Sequence, residues 1–445
     1  MDFLDLCRQA IAIDSTPIHG TKDIMTWAAT LGQTRGFDVE IQTDFLGDLE
    51  QQNLVIRPKN ATQPVGPRME EFLFQSHLDS LDPGPFQLWK DTFQNPFEAT
   101  IKDGKIFGLG AADGKIDFLC KLEALSGFVD KRNWRLPPVL VATYGAHMGM
   151  IGALKLIRRN TIAPKVALIG EATDLGLATA GPGFALVEIQ IPFSSHEMQQ
   201  RHDHENREST STQSKIFSGT SRTESAIRKM FDYLIQLPEN IVLMEIDGGS
   251  NATTVATNAF LELDLSTTLN SSVHRLSSVY RFIKNLEFEF QAYQDPSFSP
   301  PNLEINIGLI RTLEEHIQIM ISCKLPPVIT VDIYEDWISR MKAHCESVDS
   351  SFRVTDYKKP YRSDKDSPLA QGCLEILKSV SPQCAPANLS TTNEASLFSR
   401  VGINCVCFGP GRREDNVHTS HEHLRLEDIQ KSISFYQKVI ERFCL

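Results

Sequence analysis

Apolar positions along this chain switch between helical spacing and short unbroken runs, and the switching predicts most of its elements. Residues 3–13 carry apolar side chains at helical intervals and stop at Asp14-Ser15-Thr16-Pro17. Residues 22–32 repeat that spacing, with Thr21 placed as a cap. Residues 39–43, 54–57 and 71–75 read as strands, the last a short apolar run. A helix over 119–128, a strand over 138–143, a helix over 150–159 and a strand over 166–169 follow. Strands alternating with helices predict an α/β fold, a doubly wound and mostly parallel sheet with helices on both faces.

The rhythm changes after residue 182. Residues 185–191 alternate as a half-exposed strand, and 194–215 are polar with almost no apolar anchors, which predicts a solvated loop. A helix over 225–237, strands over 242–246, 254–265, 305–310 and 317–324, and a helix over 331–345 describe an α+β segment. The first rhythm returns with a helix at 368–380, a strand at 403–408 and a helix at 426–443. The expected organisation is therefore 1–181 and 358–445 as two parts of one α/β domain, with 182–357 inserted between them.

Composition narrows the partners. The formal net charge of −12 argues against nucleic acid or an anionic membrane, both of which select basic surfaces. Nine scattered cysteines without a Cys-x-x-Cys pair read as reduced intracellular thiols, and Cys405 and Cys407 alternate so as to share one face of a strand. The start shows no basic segment followed by an apolar stretch, so the cytoplasm is the expected location.

The polar residues that could carry chemistry lie just beyond predicted strand ends, where open α/β sheets place their sites. His77 and Asp79 alternate after the 71–75 strand, a spacing in which an imidazole binds metal and the carboxylate orients it. Asp113 ends the glycine-rich turn Gly108-Leu109-Gly110-Ala111-Ala112-Asp113, where it would either bridge two cations or cap a helix. Glu171 follows the 166–169 strand, and His418 lies among three histidines at 418, 421 and 423. Singly, each has an ordinary structural reading; their order and placement together point to a metal site.

These segments resemble the family of acetylornithine deacetylase, succinyl-diaminopimelate desuccinylase, aminoacylase and the bacterial glutamate carboxypeptidase. The matching stretches are Ser76-His77-Leu78-Asp79, Trp89, Pro96-Phe97, Gly108 to Lys115, Gly170-Glu171-Ala172-Thr173, Asn393-Glu394-Ala395, Phe408-Gly409-Pro410-Gly411 and Val417-His418-Thr419. The resemblance implies a zinc-aminopeptidase-like catalytic domain with an inserted lid and dimerisation domain. It implies two divalent metals, zinc or cobalt, or only one, acting on an N-acyl amino acid or a peptide-like amide. His77, Asp113 and Glu171 would hold one ion, and Asp113, His147 and His418 the other, with Asp79 orienting His77. Asn393, Glu394 and Gly409 would lie near substrate, and a homodimer would form through the inserted domain.

The chain departs from the family where an Asp-Glu-Glu triplet is expected. With Gly152-Ala153 in register, that triplet falls on Gly145-Ala146-His147. The general-base position is Ala146, whose methyl carries no proton, and a ligand carboxylate becomes His147. Lys115 is followed by Ile116-Asp117 in place of paired glycines, and residues 216–227 lack the family's histidine, for which His196, His202 or His204 would have to substitute. Three readings remain: an amide hydrolase in which Tyr144, Glu394 or Glu422 supplies the proton path, an inactive metal- or ligand-binding member of the same fold, or a non-hydrolytic chemistry.

Overall fold

The computed structural model describes residues 2–59, 69–205, 212–220, 224–269 and 271–445, side chains excepted at 204 and 205. Their chain contacts divide into two compact units, Met1–Gly181 with Tyr361–Leu445, and Pro182–Pro360.

The first unit is built on a six-stranded sheet in the order Phe37–Leu46, Leu49–Pro58, Pro138–Thr143, Glu71–His77, Pro164–Gly170, Asn404–Phe408. The last four strands run parallel, and the hairpin Phe37–Leu46/Leu49–Pro58 joins them antiparallel at one edge. Alternate residues of each strand enter different cores. Phe72, Phe74, Leu140, Ala142, Leu168, Val406 and Phe408 pack with the helices on one face. Leu73, Val139, Val141, Ala167, Ile169, Cys405 and Cys407 pack on the other. A two-residue period with both faces buried produces the continuous apolar runs seen in the sequence. It also puts both cysteines on one face, as their spacing predicts. Each fully buried Leu or Phe contributes about 1.5–3 kcal/mol relative to exposure. The helices Lys115–Ser126 and Leu426–Val439 pack on the first face through Phe118, Leu122, Phe435 and Tyr436.

The second unit is a seven-stranded sheet with the helices Ala226–Leu234, Ser272–Phe290 and Val331–Ser347 contributing to its apolar core. Every strand pair is antiparallel.

Three local expectations fail, each for an identifiable reason. Residues 194–215 are not a solvated loop: they contain the helix Ser195–Glu205 and the strand Thr212–Ser218, while 206–211 lie outside the described residues. That helix is held by a buried carboxylate rather than an apolar stripe. Glu197 accepts from the main-chain N–H and hydroxyl of Ser272 at 2.7 and 2.8 Å and from Arg275 at 3.0 Å. The pattern reading assigns nothing to Ser272–Phe290, a helix capped by Ser271, whose Oγ accepts the Val273 N–H. Its apolar residues Val273, Leu276, Tyr280 and Ile283 carry the helical spacing that marks it. Thr21 does not cap its helix; its hydroxyl donates to Gln51 Oε1 at 3.0 Å.

Candidate metal centre

Three strand ends and two loops of the first unit carry the residues that the resemblance assigns to metal. His77 is the last residue of Glu71–His77, and Glu171 directly follows Pro164–Gly170. Asp113 precedes Gly114, whose φ of +93° suits glycine; a Cβ there would come within 2.3 Å of the His77 carbonyl. The turn Ala146–Met148 follows Pro138–Thr143, and His418 lies in the loop after Asn404–Phe408 with a φ of 64°, a strained conformation for histidine. Buried Asn416 braces that loop by donating to the carbonyls of Arg412 and His423 at 2.9 and 2.8 Å.

The Asp113 carboxylate is the hub. Its Oδ1 lies 3.4 Å from His77 Nε2, and its Oδ2 lies 3.5 Å from His147 Nε2 and 3.1 Å from His418 Nε2. The rings of His77 and His147, and of His147 and His418, meet edge to face with centroids 5.0 Å apart. Ligand atoms of His77, Asp113 and His147 all fall within 4.8 Å of one another. Ligands tetrahedral about an ion at roughly 2.0–2.1 Å stand about 3.3–3.4 Å apart, close to the spacing of Asp113 from His77 and from His147, so these residues could hold a divalent ion.

Electrostatics divide the histidines. Burial alone would depress His77, but Asp113 and Asp79 outweigh it and hold its pKa well above the usual histidine value. Burial dominates at His147 and, with His77 and His418 beside it, outweighs the opposing pull of Asp79 and Asp113, pushing it down to about 4, so its ring is neutral at pH 7 and offers a lone pair. Burial would raise Asp113, but His77, His418 and Arg413 keep it well below the usual carboxylate range.

Two predicted arrangements differ from expectation. Asp79 reaches His77 less directly than the His-x-Asp spacing suggests, with its Oδ1 3.6 Å from Nδ1. Its two oxygens accept the main-chain N–H groups of Ala146 and His147, each at 3.2 Å. Glu171 does not converge with the three ligands; it pairs with Arg413, whose Nη2 lies 2.9 Å from Glu171 Oε2 and 3.8 Å from Asp113 Oδ1. Sequence reasoning missed Arg413 because Arg412-Arg413-Glu414-Asp415 reads as a charged surface loop.

The remaining candidates have their polar atoms engaged within the protein. Asn393 is buried, accepting from Ala395 N–H at 3.0 Å and donating to Cys407 Sγ at 3.5 Å. Glu394 accepts from Thr143 at 2.6 Å and from Gln75, and burial raises its pKa to about 7. Gly409 exchanges main-chain bonds with the Thr173 hydroxyl. Tyr144 donates to Asp44 at 2.9 Å, and Glu422 accepts the Ala112 N–H at 2.9 Å, its pKa lifted to about 8 by burial and by Asp113. His196 lies 2.8 Å from the Thr268 hydroxyl; the His204 side chain and residues 221–223 lie outside the described residues.

Beneath the site lies a second network that the sequence did not announce. Buried Lys121 donates to Asp117 Oδ2 and to the Gln75 carbonyl, both at 2.6 Å, and to Ser76 Oγ at 3.0 Å. Asp117 also accepts from Ser76 at 2.7 Å and from the Tyr436 hydroxyl. Asp117, which replaces a glycine expected from the resemblance, thus fixes the strand end that presents His77.

The model of Peptidase family M20/M25/M40 matches residues 73–442. An acetylornithine deacetylase from Buchnera aphidicola subsp. Schizaphis graminum is 22% identical over 375 residues, covering 84% of this chain and 80% of that protein. An acetylornithine deacetylase from Proteus mirabilis is 30% identical over 201 residues, 43% of this chain and 48% of its own length. Among solved structures, the M20 family metallo-carboxypeptidase Sso-CP2 from Sulfolobus solfataricus has a TM-score of 0.64 at 14% identity, covering 100% of this chain and 99% of that one. Aminoacylhistidine dipeptidase from Vibrio alginolyticus gives 0.64 at 14%, covering 99% and 96%. At such identities the structural likenesses speak for the fold, a parallel-sheet unit with a second antiparallel one. The family match spans most of the sequence and includes every residue of the histidine–aspartate cluster: this chain belongs to Peptidase family M20/M25/M40.

Proposed function

We propose that this M20-family, amide hydrolase-like protein binds a divalent ion, zinc or cobalt, and uses it to hold an N-acyl amino acid or peptide-like ligand, without hydrolysing it at an enzyme's ordinary rate. A bound divalent ion supplies Lewis-acid polarisation of an amide carbonyl. Asp113 and His147 offer ligand atoms without a change of protonation at pH 7, whereas at His77 the neighbouring carboxylates make a proton a stronger competitor of the ion. Asp79 fixes the turn that aims His147.

The observation that carries the proposal is the methyl group of Ala146 together with the hydrogen bonds that hold Tyr144, Glu394 and Glu422, the substitutes the sequence offers. Amide hydrolysis needs a group that takes a proton from water and returns it to the leaving amine, worth about 10²–10⁴-fold in rate. The Asp79 oxygens each accept a main-chain N–H group, and Oδ1 also faces His77. Tyr144 is tied to Asp44, Glu394 to Thr143 and Gln75, and Glu422 to Ala112. Among the described residues, the side chains of Tyr144, Glu394 and Glu422 make no hydrogen bond to those of His77, Asp113, His147 or His418.

Residence in the cytoplasm and a homodimer through residues 182–357 belong to the same proposal. For the dimer, support comes from Thr212–Ser218, an edge strand carrying Ile216 at 74% exposure. Among the described residues no helix is long and apolar enough to cross a membrane. Calorimetric titration of the zinc-loaded protein with N-acetyl amino acids and dipeptides tests the ligand class. Binding that disappears in Asp113→Ala supports the proposal; no binding by any member of either class refutes it.

A further inference from the structure

We infer that Arg413 is a built-in cation standing where a second metal ion would otherwise sit, so that the centre takes one divalent ion rather than two. The inference rests on the ion-binding part of the proposed function and goes beyond it by assigning the second position. Asp113 presents its two oxygens to different neighbours. Oδ2 faces His147 and His418, whereas Oδ1 faces His77 and the Arg413 guanidinium. Glu171, the remaining carboxylate of the expected ligand set, gives its Oε2 to the same guanidinium at 2.9 Å. A planar guanidinium that stays charged at all relevant pH values therefore spans the two carboxylates a second ion would have to share.

Three observations show that this is a built arrangement rather than a surface arginine resting on a convenient acid. Both carboxylates are buried, with side chains 6% and 7% exposed, and the Arg413 side chain is 20% exposed. Arg413 Nε is buried with no hydrogen-bond partner among the described residues, so the group is committed to the carboxylates at the expense of its own solvation. The backbone at Arg413 is also fixed. Its carbonyl accepts from the N–H groups of Asn416 and Val417 at 3.3 and 3.2 Å, while neighbouring Arg412 forms an antiparallel bridge with Thr173. A second dication would have to displace this guanidinium or share two carboxylates with it, and like charges at that range in a poorly solvated site repel strongly.

The test is metal stoichiometry, measured by plasma mass spectrometry after equilibration with excess zinc and gel filtration, and by the absorption of bound cobalt. The wild type should retain about one ion per chain and Arg413→Met about two, with the cobalt absorption rising accordingly. Two ions in the wild type, or no gain in Arg413→Met, overturns the inference while leaving the ion-binding proposal intact. No ion in the wild type overturns both. Should Arg413→Met fail to fold, anomalous diffraction from wild-type crystals at the zinc edge decides: a single peak with the guanidinium on Glu171 sustains the inference, and two peaks end it.

Discussion

The main-chain N–H of Ala146 donates to Asp79 Oδ1 at 3.2 Å, so this carboxylate serves as a scaffold for the turn Ala146–Met148. The other oxygen of Asp79 takes the His147 N–H, also at 3.2 Å. A single carboxylate therefore fixes the turn that carries Ala146 and His147 and lies beside His77 as well.

Asp79→Asn should weaken the ion site. An amide can accept only one of the two N–H groups, and its NH₂ would face the other donor. Losing such a supporting carboxylate typically costs 10–100-fold in metal affinity, and a drop of about that size is expected in a competition titration against a chromogenic chelator. Unchanged affinity would mean that the turn holds His147 in place by itself.

Lys121→Met should destabilise the first unit by about 3–5 kcal/mol, because it strands the buried Asp117 carboxylate without its cation. Urea denaturation measures this directly. Since Lys121 and Asp117 also hold Gln75 and Ser76, the variant should lose ion affinity too.

Glu394 gives the ion-free protein a pH-dependent stability. Burial raises its pKa from an ordinary 4.5 to about 7, so the folded state holds this proton more tightly than the unfolded chain. Its contribution is complete below about pH 4.5 and is lost as the pH climbs through 7, a change on the order of 3 kcal/mol. Glu394→Gln removes the titration. The fall in urea stability between pH 5 and pH 8 should therefore be smaller in the variant than in the wild type. Equal falls would place this proton elsewhere.

What the sequence made legible follows from what repeats or has fixed spacing. The parallel sheet could be read because its strands are buried on both faces, leaving unbroken apolar runs such as the one ending at Ile169. His77 and Asp113 could be read as candidates because one follows a strand end and the other a glycine turn, whereas His147 came into view only through the register that the resemblance supplies. Arg413 could not, because a charged residue in a charged loop looks the same whether it meets water or two buried carboxylates. The helix Ser195–Glu205 escaped notice for a related reason. Its anchor is the buried ion pair of Glu197 with Arg275, far away in the chain, and no local periodicity records such a contact. Asp117 was visible as a departure, but its partners Lys121 and Tyr436 became apparent only with the packing of Lys115–Ser126 against Leu426–Val439.

The most direct test of the account is the turnover number of the zinc- or cobalt-loaded wild type on a panel of N-acetyl amino acids and dipeptides, with bound metal quantified in the same sample. If no other group carries the proton, a loss of about 10²–10⁴-fold from the roughly 10 s⁻¹ of a median enzyme puts release of amine at or below about 0.1 s⁻¹ on every substrate, under the roughly 1–10³ s⁻¹ typical of enzymes. A turnover within that ordinary range on any one of them would contradict the account.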